Sequence, residues 1–282
     1  MTLSVSAVLL SACGGNANQA PAADKPAEGS APAAANETVP SKIVVGLDDN
    51  FPPMGFRDDK NELVGFDIDM AKAAAKHMGV EVEFKPIDWA AKESELKSKR
   101  VDMLWNGLTI TEERKQNILF SNPYMENHQI IVVSAGSPIK VKTDLNGKVV
   151  GVQDGSSAVP AIEADAVSKS FKEMKKYGDN VTALMDLSTK RIDAVVVDEV
   201  VGRYYVAKKP TEYAVLEDNF GTEEYGVGMR KEDQALHDKL QAELVAMKAD
   251  GTSAKIANQW FGKDIVKYDD AAFLKHITLS ET

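Results

Sequence analysis

Several stretches of this 282-residue chain bring together residue types that can hold opposite charges. The first is Asn106-Gly107-Leu108-Thr109-Ile110-Thr111-Glu112-Glu113-Arg114, which follows an apolar run at 101–105 and opens a helix. Ligands of open α/β sheets sit beyond the carboxyl ends of strands, and free N–H groups at a helix start attract anions. Arg114 adds a planar fork matched to a carboxylate. The same residues also read as a plain capped helix, with Thr111 as the cap and Arg114 in solvent. The second stretch is Gln153-Asp154-Gly155-Ser156-Ser157-Ala158, a Gly/Ser turn after an apolar strand. Its N–H and hydroxyl donors suit an anion, though an ordinary capped turn has the same composition. The third is Asp193-Ala194-Val195-Val196-Val197-Asp198, an apolar strand ending in a carboxylate that either receives an ammonium group or caps the next helix. Asp48-Asp49-Asn50-Phe51 closes the first strand. With Trp89 it offers acid beside aromatic walls and cation–π contact, while Trp105 and Trp260 read as core.

Other chemistries find no support. There is no Gly-x-x-x-x-Gly-Lys nucleotide loop and no Gly-x-Ser-x-Gly elbow. The four histidines are scattered without metal-ligand spacing, and Asp58-Asp59-Lys60-Asn61-Glu62 reads as a hairpin turn rather than a calcium loop. No nucleophile–base pair is legible, so neither catalysis nor a metal or cofactor is expected. A net charge of −10 argues against nucleic acid and against adsorption to anionic lipid.

The elements that must position these residues alternate in type. Residues 42–47, 81–85, 101–105, 149–152 and 225–229 read as strands, and 66–78, 90–98 and 233–249 as helices. Such alternation implies βαβ units around a mainly parallel sheet. An internal echo divides the chain: Leu96-Lys97-Ser98-Lys99-Arg100-Val101-Asp102 returns as Leu187-Ser188-Thr189-Lys190-Arg191-Ile192-Asp193. Likewise Lys42-Ile43-Val44-Val45-Gly46 returns as Lys148-Val149-Val150-Gly151. The fold expected is α/β, two similar lobes joined by two hinge strands with a ligand cleft between them. Residues 41–131 and 227–282 form lobe 1, and 132–226 form lobe 2.

Before the lobes comes a different kind of sequence. Residues 3–10 are largely apolar, and Leu10-Ser11-Ala12-Cys13 resembles the lipobox of bacterial lipoproteins, in which the cysteine is acylated. The run is too short to span a bilayer. Residues 1–13 are thus read as a lipoprotein signal and 14–40, rich in Ala, Pro, Gly and Asn, as a disordered tether. As the only cysteine, Cys13 leaves no disulfide within the chain.

From about residue 42 to 262 the chain resembles the polar amino-acid-binding proteins of bacterial ABC importers. The resemblance rests on Phe51-Pro52-Pro53, Gly65-Phe66-Asp67-Ile68-Asp69, Thr109-Ile110-Thr111-Glu112-Glu113-Arg114 and Phe120-Ser121-Asn122-Pro123-Tyr124. It continues through Asp193–198, Asp250-Gly251-Thr252 and Trp260-Phe261-Gly262. By resemblance, Arg114 pairs with the ligand α-carboxylate, helped by Thr109, Ser156 and Ser157. Asp198 and the Gly107 carbonyl take the α-ammonium. Phe51 and Trp89 sandwich the side chain, Asp48 lies near its tip, and Gln153 and Asn106 line the variable part. The resemblance implies a free-standing monomer outside the cytoplasm, tethered to the bilayer through Cys13, that delivers its ligand to a permease. Asp48 and Asp49 suit a basic amino acid (arginine, lysine or histidine), with glutamine or cystine as the next choices. An enzyme on the same scaffold, resembling cyclohexadienyl dehydratases, is the alternative.

Overall fold

The computed structural model describes residues 39–267; the expectations for Cys13 and for most of the tether lie outside them. The chain opens with β1 (Lys42–Leu47), then three short strands, β2 (Asn50–Phe51), β3 (Gly55–Arg57) and β4 (Leu63–Val64). These last three make a small antiparallel sheet whose turn is Asp58–Glu62, closed by the Asp58 N–H on the Glu62 carbonyl. Next come α1 (Phe66–Met78), β5 (Glu81–Pro86), α2 (Lys92–Lys97), β6 (Met103–Leu104), α3 (Glu112–Asn117) and β7 (Ile118–Phe120). In α1 the apolar positions 66, 68, 70, 71, 74 and 75 fall on one buried face, and Gly79, left-handed at φ 71°, ends the helix. Phe66 is fully buried against Tyr124 and Phe261, so truncation to alanine costs about 3–5 kcal/mol.

A long strand β8 (Met125–Ser134) leads to β9 (Val149–Gln153), α4 (Ala158–Ala164), β10 (Glu173–Tyr177), α5 (Asn180–Ser188), β11 (Ala194–Asp198) and α6 (Glu199–Lys208). The return strand β12 (Tyr213–Tyr225) is followed by β13 (Gly228–Arg230), α7 (Gln234–Ala249) and α8 (Thr252–Phe261). Two five-stranded sheets result, ordered β5-β1-β6-β13-β7 and β10-β9-β11-β8-β12. In each, three parallel strands are followed by an antiparallel one. β8 and β12 pair from Met125 opposite Tyr225 to Ser134 opposite Tyr213, so the division expected at residues 131 and 132 falls inside β8.

The repeated heptapeptides are structurally equivalent. Lys99 and Lys190, each ending a helix, stand at φ 60° and 59°. The carboxylates of Asp102 and Asp193 accept from the backbone N–H groups of Val44 and Val149 at 2.9 and 2.8 Å, tying each helix–strand turn to a neighbouring parallel strand, β1 or β9.

Three elements differ from their sequence pattern. Only Met103–Leu104 of 101–105 pairs as a strand. Residues 89–91 form a tight 3₁₀ turn before α2. Residues 225–229 are not one strand: Tyr225 ends β12 and Gly228 begins β13 in the other sheet. The chain changes sheets at Gly226, against which Ile110 packs so closely that an added Cβ would meet it at 2.9 Å. Trp105 is core as expected, but Trp260 is only half-buried and donates to Asp69 at 2.8 Å.

Candidate functional site

The first sheet, through the segments after β1, β5 and β6, brings Phe51, Trp89, Gly107, Thr109 and Arg114 to one wall of a narrow cavity of about 10 Å³. The second sheet, through the turn after β9 and the end of β11, brings Gln153, Ser156, Ser157 and Asp198 to the other. Asp48 and Asn106 stand one contact behind. The Asn106 side chain accepts from the Asp48 N–H at 3.1 Å, and Asp48 Oδ2 accepts from Gln153 Nε2 at 2.7 Å. Two outer grooves of about 630 and 710 Å³ are larger. Neither brings a buried cation and a buried anion together as the small cavity does.

At the cationic end, Thr111 caps α3 by accepting from the Arg114 N–H at 3.1 Å. The capped-helix reading is therefore correct for the backbone but not for Arg114, whose side chain is 8% exposed rather than solvated. Its guanidinium donates to the carbonyls of Thr109 (2.9 Å) and, across the seam, Gly155 (3.1 Å). Burial lowers the pKa of Arg114, yet a guanidinium stays charged. Lys92 joins it, donating to Gly155 O at 2.7 Å and lying 5.3 Å from the Trp89 ring. Burial and the neighbouring Arg114 lower Lys92 to about 7. Thr109 and Ser157 meet hydroxyl to hydroxyl at 2.9 Å, one from each lobe. The Ser156 hydroxyl is committed to its own turn, donating to Gln153 O at 2.7 Å.

At the anionic end, Asp198 precedes α6 but makes no side-chain cap. Its Oδ1 instead accepts from Tyr225 Oη (2.6 Å), Asn127 Nδ2 (2.8 Å) and Gln129 Nε2 (3.0 Å). Burial, and then the Glu223 carboxylate, push Asp198 well above the carboxylate range. Gly107 faces it at φ 57°, where an added Cβ would meet Phe51 at 2.9 Å. Asp67 fixes Gly107 by accepting its N–H at 2.7 Å, and burial raises Asp67 to about 7. At the far end burial raises Asp48 to about 6 against the opposing bonds from Asn50 and Gln153.

Sequence reasoning passed over Lys92, Asp67, Asn127, Gln129 and Glu223. Asn127 and Gln129 did leave a signal, two amides two apart on a strand that is otherwise apolar from Ile130 onward. Asp67 lies inside a quoted motif but reads as a helix-start acid. Lys92 and Glu223 sit among other charges and carry no local sign of their contacts across the lobes.

Two α/β lobes, two connecting strands and a closed cavity with Arg114 on one wall and Asp198 on the other define a cleft-type binding protein. Residues 43–263 match the family model for bacterial extracellular solute-binding proteins, family 3, and the chain belongs to that family. The L-cystine-binding protein TcyJ of Escherichia coli (strain K12) is 34% identical over 227 residues, 80% of this chain and 84% of that protein. A substrate-binding protein of an ABC uptake transporter from Streptococcus pneumoniae, solved with histidine bound, superposes with a TM-score of 0.76 at 36% identity, covering 80% of this chain and 95% of that one. An ancestral arginine-binding protein is 42% identical whether bound to arginine (TM-score 0.75, 79% of this chain and 99% of that one) or to glutamine (0.76, 80% and 100%). The fold is thus the two-lobed α/β fold of type II periplasmic binding proteins, as the sequence motifs implied.

Proposed function

We propose that this protein captures a polar L-amino acid in its cleft and presents it, lobes closed, to an ABC importer in the membrane. The observation that carries this reading is the placement of a buried guanidinium and a buried carboxylate on opposite walls of one small cavity. A zwitterion supplies the complementary pair. Its α-carboxylate meets Arg114, Thr109 and Ser157, and its α-ammonium meets Asp198 and the Gly107 carbonyl. Phe51 and Trp89 flank the side chain, which points toward Asp48. The cleft closes because the ligand touches more groups in the closed state, the lobes hinging on β8 and β12.

A basic amino acid is the favoured ligand, since Asp48 is held above its ordinary range by burial and a cationic partner would restore its ionised form. The histidine and arginine bound to the similar structures support this, while the glutamine and cystine relatives keep those two in view. Among the described residues no helix is long and apolar enough to cross a membrane. Acylated Cys13 is the anchor on this reading, and replacement by serine that left the protein in the membrane fraction would refute it.

The decisive experiment is a thermal-shift screen of the ligand-free protein against the twenty amino acids, cystine and ornithine. A ligand binding only the native state adds about 2.7 kcal/mol at ~100 times its dissociation constant. A shift with basic amino acids is expected; no shift with any of them, on folded protein, refutes the function.

A further inference from the structure

Lys92 has no part in the zwitterion scheme, yet it ties one lobe to the other. It opens α2, is buried, and donates to the Trp89 carbonyl of its own lobe at 3.2 Å and to the Gly155 carbonyl of the second lobe at 2.7 Å. Arg114 Nη2 reaches the same Gly155 oxygen at 3.1 Å, so both lone pairs of that carbonyl are taken by cations of the first lobe. Lys92 and Gly155 line an outer recess of about 290 Å³ and not the cavity between Arg114 and Asp198. Arg114, Ser156 and Ser157 border both spaces, so the bond from Lys92 to Gly155 lies on their outer side, away from the ligand.

A buried lysine here is costly to its own lobe. The charged groups acting on it are Arg114, which opposes its charge, and Glu93, Asp154 and Asp88, which favour it. Its hydrogen bonds go to carbonyls, and its ammonium lies 5.3 Å from the centre of the Trp89 ring. Desolvating an ammonium group is unfavourable unless hydrogen bonds offset it. The shorter of its two bonds comes from the second lobe and exists only when the lobes meet. A charge-assisted bond present in the closed state and absent from the open one shifts the equilibrium toward closure. The seam is built for that approach: a Cβ added at Gly155 would lie 2.8 Å from the Ala90 Cα, two residues before Lys92.

We propose that Lys92 is a positioning residue that latches the cleft: its ammonium engages the Gly155 carbonyl after the ligand has docked, and that bond sets how long the lobes stay closed. The latch acts on closure and not on the choice of side chain, so it raises the affinity of every ligand of the cleft by one common factor. The proposal rests on the binding function given above.

The test is calorimetric and stopped-flow titration of L-arginine, L-histidine, L-glutamine and L-cystine into wild type, Lys92→Met, Gly155→Ala and the double variant. Methionine keeps the packing on Trp89 but cannot donate. Each ligand that binds wild type should bind Lys92→Met about ten- to hundredfold more weakly, the fold-change of one charge-assisted hydrogen bond, with factors that agree within about threefold. The loss should lie in the dissociation rate, with association nearly unchanged, and the Tm of the ligand-free protein should not fall. The double variant should bind within about threefold of Gly155→Ala alone, because both changes part the same seam. An affinity within about twofold of wild type, factors that differ by about tenfold between ligands, a loss carried by association, or full additivity in the double variant overturns the latch. Independently of any variant, acylation of the Lys92 amine by acetic anhydride, read by mass spectrometry, should slow at least about tenfold on ligand addition, while exposed Lys97 reacts as before. Equal rates at Lys92 with and without ligand also overturn it. If folded wild type binds none of the four, the binding function has failed and the latch with it; intact binding that Lys92→Met leaves unaltered sinks the latch alone.

Discussion

Alanine at Gly155 separates the stability of the protein from the closure of its cleft. Gly155 stands at φ 69°, and an added Cβ would lie 2.8 Å from the Ala90 Cα on the opposite lobe. The left-handed backbone costs an alanine about 1 kcal/mol whether the cleft is open or closed. The clash with Ala90 exists only when the lobes meet. Relieving it parts the seam where the Gly155 carbonyl accepts from Lys92 Nζ at 2.7 Å and Arg114 Nη2 at 3.1 Å. Hydrogen bonds from charged donors contribute about 1.5–3 kcal/mol each, so weakening both part way opposes closure by ~1.5–3 kcal/mol. That is a ten- to hundredfold loss of affinity, by the rule of about 1.4 kcal/mol per decade. Calorimetric titration measures the affinity, and melting of the ligand-free variant measures the backbone term alone. A small drop in Tm with a large drop in affinity is expected, together with less compaction on ligand addition in small-angle scattering. An affinity within twofold of wild type, in a variant whose Tm has fallen, would refute the assignment of this contact to the closed state.

Three further outcomes follow from the same geometry. Arg114→Lys keeps the charge but loses the fork and its two carbonyl contacts, and titration should show affinity down by about 1.5–3 kcal/mol, the range for one charge-assisted hydrogen bond, or more if both are lost. Asp48→Asn should weaken arginine far more than glutamine; equal losses would remove Asp48 from the specificity end of the cleft. Stability of the ligand-free protein should fall between about pH 4 and pH 7, because Asp48 (about 6) and Asp67 (about 7) have folded values above their unfolded value of 3.8. An acid raised in this way stabilises the fold fully below its unfolded pKa and loses that contribution as pH passes its folded one. For Asp67 the loss is at most ~4 kcal/mol, and melting curves of Asp67→Asn should be correspondingly flatter across that range.

What the sequence disclosed and what it hid follow a physical division. Residues that serve their own lobe are legible because local constraints repeat. Lys99 and Lys190 end their helices in the same left-handed turn, and Asp102 and Asp193 bind the N–H of the neighbouring strand, so the heptapeptide recurs with its geometry. The nine cavity residues are legible for a related reason: they lie at strand ends, at helix starts or in the segments that link the two, where side chains turn toward the crevice. Lys92 and Glu223 obey neither rule. Lys92 sits at the start of an amphipathic helix, where lysine is ordinarily in solvent; it is 4% exposed here, packed on Trp89 of its own lobe and donating to Gly155 O of the other. Glu223 alternates with exposed Glu224 on a strand, and its meaning depends on Thr109, 114 residues away. Both are set by the closed arrangement of the lobes, which no local pattern encodes. The same reasoning says which substitutions should mislead. Changes at Lys92 or Glu223 should leave each lobe folded and alter only the coupling between ligand and closure, so a stability screen alone would pass them as surface residues.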